Sequence, residues 1–371
     1  MTTSWSERQE RGNTIVVVLK KAALLVVALF MAGCASSEKT GRATVPPEQA
    51  KRYLVYEKLT GEKGIWIADV DGHHPRRLVP EGHSPMLSPD GRWVAYLGNC
   101  GREDACRSTA VISTSGGNPR LFSLVGAPAW SPDSARIVGV RGPSPDNEQL
   151  VTFGVANGRK STLARGSFYG WSFSPDATRI VYSGRTNASN GFAEGSFDLF
   201  VVEVDGGEPK QITHAGDSGS PVWSPTDVIA FTKFVPDRGW GRNEIWQIRP
   251  DGSDRRTITG PLHASLRGQG FTGLIPVGWS DDGHVLLGGW TNEWGSVPVA
   301  VDPARGKARK LVTGLTWEAV AISHDGRSAL AYTSVPVGEP DAENAIVATL
   351  PLAGGKPTIL AHGAGSPSWN R

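Results

Sequence analysis

Leu87-Ser88-Pro89-Asp90-Gly91-Arg92-Trp93-Val94-Ala95-Tyr96 decides how this chain is read. A large apolar residue leads into Ser-Pro-Asp-Gly, and an apolar run follows. Pro fixes φ, Asp bonds its own backbone and Gly accepts positive φ, so the four residues turn the chain tightly into a strand. The unit returns as Trp130-Ser131-Pro132-Asp133 and Phe173-Ser174-Pro175-Asp176. It recurs more loosely as Trp223-Ser224-Pro225, Trp279-Ser280-Asp281-Asp282-Gly283 and Ile322-Ser323-His324-Asp325-Gly326. Ser368-Trp369-Asn370 supplies a seventh start, and the intervals run from 43 to 56 residues. A period of that size marks a repeat architecture.

Each unit carries the same further elements. After the strand that follows the turn comes a third, such as Leu199-Phe200-Val201-Val202 or Ile245-Trp246-Gln247-Ile248. A Gly-rich turn ends it, as at Asp71-Gly72, Gly116-Gly117, Gly206-Gly207, Asp251-Gly252 and Gly354-Gly355, and a short fourth strand such as Arg77-Leu78-Val79 closes the unit. Four short strands per repeat, apolar on both faces, describe the blade of an all-β propeller. Second strands fall near Tyr53, Trp93, Ile137, Ile180, Ile229, Val285 and Ala329, which predicts seven four-stranded antiparallel blades over residues 51–371. The first blade has no inner strand before Tyr53, and Gly365 to Asn370 is expected to supply it, closing the ring as three strands plus one and removing open edges.

The Trp-Ser-Pro-Asp-Gly type of turn, the strand after it and the Asp71-Gly72 turn before Arg76-Arg77-Leu78 resemble the WD-like repeats of the TolB propeller family. The resemblance covers about residues 50–371. It implies the propeller fold, which in such relatives serves envelope scaffolds, peptidase propeller domains and some polysaccharide lyases. Residues 35–50 are too few for the small α/β domain that precedes the propeller in TolB itself.

The N-terminus reads as a targeting segment. Lys20 and Lys21 precede the apolar run Ala22 to Met31, and Met31-Ala32-Gly33-Cys34 follows. A basic region, a short apolar run and small residues before a cut describe a secretory signal over residues 1–33. The lysines split the longer stretch from Ile15 to Gly33, leaving too short a run to span about 30 Å of hydrocarbon. Cys34 after Ala-Gly resembles a bacterial lipobox, in which the thiol takes a diacylglyceryl group. Residues 34–50 then become lipidated cysteine and tether, with translation expected to start nearer Val18. The product would be exported and held to the bacterial cell membrane or outer membrane by its lipid.

Of the three cysteines, Cys100 and Cys106 remain, flanking a turn-like loop, and in an oxidising compartment such a pair reads as a disulfide. Net charge is +2 with the signs interspersed, so no nucleic-acid partner is indicated and a monomeric ring is expected.

In an antiparallel meander the first-to-second and third-to-fourth turns share one face, here uniformly short. The other face collects the insertions: 98–107, 184–196, 234–243, 260–273, 289–296 and 334–344. Long loops on a rigid scaffold are where binding resides. They carry Phe192, Trp240, Phe271 and Trp294, with Phe197 and Trp290 beside them, which either pack beneath their own loops or form a binding surface. His83, His214, His263 and His362 fall in links between blades on that face, whereas His73, His74, His284 and His324 fall in the tight turns. Imidazoles converging on a channel suit a divalent metal, and metal-dependent uronate lyases on seven-bladed propellers place histidines there. Gly216-Asp217-Ser218-Gly219-Ser220-Pro221 looks like a serine-protease nucleophile, but a triad needs a placed His and Asp, and the segment reads as a link between blades. The expectation is a non-enzymatic envelope protein without cofactor, binding a protein or glycan at the looped face. The alternative is a metal-assisted polysaccharide (uronate) lyase or hydrolase using those four histidines.

Overall fold

The computed structural model describes residues 51–98, 108–142, 147–186, 196–236, 242–259, 271–292, 295–313, 317–333 and 340–370. They are all-β apart from one 3₁₀ turn at Pro340–Asn344, and no described helix is long and apolar enough to cross a membrane. Cys34, Cys100 and Cys106 lie outside them, as does the segment read as signal and tether.

The strands group into antiparallel quartets. The first sheet has the order Ala364–Trp369, Tyr53–Lys58, Gly64–Asp69, Arg76–Val79, so its inner strand comes from the far end of the sequence. Leu54 lies opposite Trp369 and Lys58 opposite Ala364. The second sheet starts at His83–Leu87, the third at Val125–Trp130, the fourth at Phe168–Phe173 and the last at Trp317–Ile322, each running outward in chain order. An eight-stranded sheet lies between the fourth and the last. It comprises the strands from Ser218–Trp223 and those from Phe271–Trp279, joined by a single parallel pair, Asn243 with Gly273. Two of the expected insertions are shorter than the sequence suggested. Arg179–Thr186 and Ser196–Glu203 extend as strands into the 184–196 loop, and Leu286–Asn292 pairs with Gly295–Asp302 across most of 289–296.

Because side chains alternate across a strand, each sheet packs on both faces. Val94 and Tyr96 join Val55, Ile65 and Ile67 of the first sheet, while Ala95 between them joins Ile137 and Val151 of the third. The same interleaving continues from sheet to sheet. Leu330 and Val347 of the last sheet then pack with Leu54, Ala68 and Trp369 of the first. Full burial of a side chain such as Phe231 or Ile180 contributes about 1.5–3 kcal/mol.

The turn after each inner strand repeats one hydrogen-bond scheme. Ser88 Oγ donates to Asp90 Oδ1 (2.6 Å) and accepts from Trp93 N (3.0 Å), while Asp90 Oδ1 also accepts from Arg92 N (3.0 Å). Ser131, Ser174, Ser280 and Ser323 do the same with Asp133, Asp176, Asp282 and Asp325. Ser224 uses Thr226 instead. In the first sheet Asn370 substitutes for the serine: its Oδ1 accepts from Tyr53 N (2.8 Å) and its Nδ2 donates to Lys51 O (3.2 Å). Gly91 at φ 71° leaves room for it, since a Cβ there would meet Asn370 Nδ2 at 2.8 Å.

Candidate functional site

Inner strands run from the looped face toward the tight turns, so each end of them is a separate candidate surface. At the looped end of the fourth sheet, Tyr169 is 55% exposed. It lies beside Phe197, at the start of the third strand, with ring centroids 6.0 Å apart. The exposed Arg185 guanidinium stands 5.8 Å over the Phe197 ring. Gly219 of the next inner strand floors the patch, because a Cβ there would come within 3.0 Å of the Tyr169 ring. Beneath, the fully buried Asp198 carboxylate fixes the link that follows. It accepts from Thr213 Oγ1 (2.9 Å), Gly216 N (3.0 Å), Gln211 Nε2 (3.3 Å) and Thr186 Oγ1 (3.2 Å).

Of the residues expected at this face, Phe192, Trp240, Trp294 and His263 lie outside the described set, and for Phe271 only the backbone is described. The other three histidines are at the looped ends of strands or in a link, each with its own surroundings. His83 Nδ1 is 2.8 Å from Glu57 Oε1, whose other oxygen accepts from Ser84 N (3.2 Å). The His362 carbonyl accepts from Lys58 Nζ (2.7 Å), and the exposed His214 lies in the link before Ser218. Among the described residues no three His, Cys, Asp or Glu side chains converge on a metal position. At the same end Tyr332 donates to Glu318 Oε2 (2.5 Å), and burial together with that carboxylate pushes its phenol well above the usual range. The Ser218 hydroxyl donates to Asp217 (3.0 Å), which is salt-bridged to Lys233 and lies 3.4 Å from Arg255, so the protease-like stretch is a strand held by ion pairs.

At the opposite end the inner strands surround a cavity of about 730 Å³ that the sequence did not announce. Trp130, Trp171, Trp223, Trp279 and Trp369 face it, with Asp90, Asp133, Asp281 and His324 among its polar groups. Trp130 donates its indole N–H to Met86 O (3.0 Å) and Trp279 to Val222 O (3.1 Å), each stitching its strand to the preceding one. Trp223 donates to Asp227 (2.9 Å). The Trp369 N–H is buried without a partner. The repeated apolar residue before each serine was the available signal, but the sequence could not show that these rings meet.

No family model matches the chain. Its structure is similar to TolB from Acinetobacter baumannii, with a TM-score of 0.52 and 16% identity over 85% of this chain and 82% of that one. It is similar to an oligogalacturonate lyase in complex with manganese, with a TM-score of 0.58 and 15% identity over 84% of this chain and 86% of that one. The β-propeller domain of the Trilobed protease from Pyrococcus furiosus gives 0.56 and 13% over 84% of this chain and 96% of that one. At such identities the likeness concerns the fold alone: four-stranded antiparallel sheets packed in sequence make this chain a TolB-like β-propeller.

Proposed function

We propose that the chain is an exported, lipid-anchored binding protein of the cell envelope. Its ring has seven blades, closed by Ala364–Trp369, and it takes an envelope glycan or protein at its looped face without catalysis. The packing of Leu330 and Val347 against Leu54 and Trp369, and the convergence of the inner strands on one cavity, support the ring. One observation carries the binding reading: Tyr169, Phe197 and Arg185 form an exposed aromatic and cationic surface floored by Gly219. Tyrosine offers a large amphipathic face at small entropic cost, and a guanidinium adds a fork of donors beside it. Such a surface suits the C–H face and hydroxyls of a sugar ring.

Cosedimentation of the full chain with purified envelope polysaccharide tests this. Tyr169→Ala is expected to weaken binding about tenfold, as loss of roughly 1.4 kcal/mol of contact would, with the thermal midpoint unchanged. Binding that Tyr169→Ala leaves intact would contradict the assignment to this face.

A further inference from the structure

We infer that the cavity at the tight-turn end of the inner strands is a second binding site, for a polypeptide segment that carries a lysine or arginine. Its volume of about 730 Å³ lies in the range of small-ligand sites, enough for one long side chain with flanking backbone. Five indoles wall it, and three of them have committed their N–H groups to Met86 O, Asp227 and Val222 O. Those three therefore offer ring surface and no donor. The carboxylates of Asp90, Asp133 and Asp281 are in the lining, and no lysine or arginine is. The arginines that follow the turns are engaged elsewhere: Arg136 with Asp205 at 2.9 Å and Arg179 with Asp227 at 3.4 Å. Arg92 stays 3.8 Å from Asp90 and is 80% exposed. Walls of low dielectric with charge of one sign focus a field on the opposite charge, and indole faces attract the same cation.

Trp369 adds an independent observation. Its residue is 8% exposed and its indole N–H lacks a hydrogen-bond partner, an arrangement that costs about 1–3 kcal/mol. A peptide brings a carbonyl acceptor together with a cation, whereas a simple amine brings only the cation. The chemistry of the wall thus selects a basic peptide over a free polyamine.

Isothermal titration of the full chain in neutral detergent tests the site with three probes. These are the capped tripeptide Gly-Arg-Gly, the same peptide with neutral citrulline for arginine, and spermidine. Saturable binding of the arginine peptide is expected, at least about tenfold tighter than either other probe. The double variant Asp133→Asn, Asp281→Asn should weaken it about tenfold or more. Asn at 133 keeps the Oδ1 acceptor that Ser131 and Ala135 use, so the turn can persist. Should that variant unfold, Trp171→Leu, at a half-buried wall indole, gives the same reading. No saturable binding of the arginine peptide, equal binding of the citrulline peptide or of spermidine, or undiminished binding by a folded variant would each overturn the proposal.

Discussion

Ala177 has a φ of 58° at the place where Gly91, Gly283 and Gly326 have 71°, 71° and 66°. A Cβ in the left-handed region costs about 1–2 kcal/mol, while glycine's extra freedom in the unfolded chain returns part of that. Ala177→Gly is therefore expected to raise stability by about 0.5–1 kcal/mol, read as a higher urea midpoint with unchanged slope. A lower midpoint would show that the turn does not need the conformation drawn for it. The turn carboxylates add a pH dependence. Hydrogen bonds from Ser174 and Thr178 lower Asp176 from 3.8 to about 2, and equivalent bonds lower Asp282 and Asp325. A depressed carboxyl contributes stability above its unfolded value and loses it as pH falls through the folded one. Asp176→Asn should flatten the stability profile between about pH 4 and pH 2, and an unchanged acid limb in urea melts would count against the bonded carboxylate.

At the scale of the element, the inner strands depart from regular pairing at corresponding places. Register shifts fall between His83 and Met86, Phe168 and Trp171, and Gly219 and Val222. Ser84, Gly170 and Ser220 take positive φ there, as Ser366 does in the strand that completes the first sheet. A bulge adds twist and bends the strand. It was not legible because Ser-Pro at 84–85, 220–221 and 366–367 says only that pairing is interrupted, not on which side. The Ser-Pro-Asp turns were legible, since every bond in them is made within about six residues. Asn370 shows the limit: its partners Tyr53 and Lys51 are more than 300 residues away in sequence, so nothing local marks it as the counterpart of Ser88. Asn370→Ala should cost about 1–3 kcal/mol by leaving buried groups unpaired, whereas the same change at exposed Asn157 should cost less. Equal melting curves for the two variants would remove the latch from the account.

Over the whole molecule, the repeat and its strand order were readable because one pattern of turn and apolar run recurs from residue 51 to 370. The binding surfaces were only partly so. Tyr169 and Arg185 come from different strands of one sheet and meet Phe197 and Gly219 only through the pairing of neighbours, a relation no local pattern encodes. The Trp-lined cavity likewise exists only when all the inner strands converge. Both surfaces presuppose the proposed ring. Hydrogen exchange on a chain ending at Ala364, compared with the full chain, tests that ring most directly. The account predicts that the amides of Tyr53–Lys58 lose protection and that Leu330 and Val347 in the last sheet lose it with them. Protection in both places equal to that of the full chain would contradict closure by the C-terminal strand.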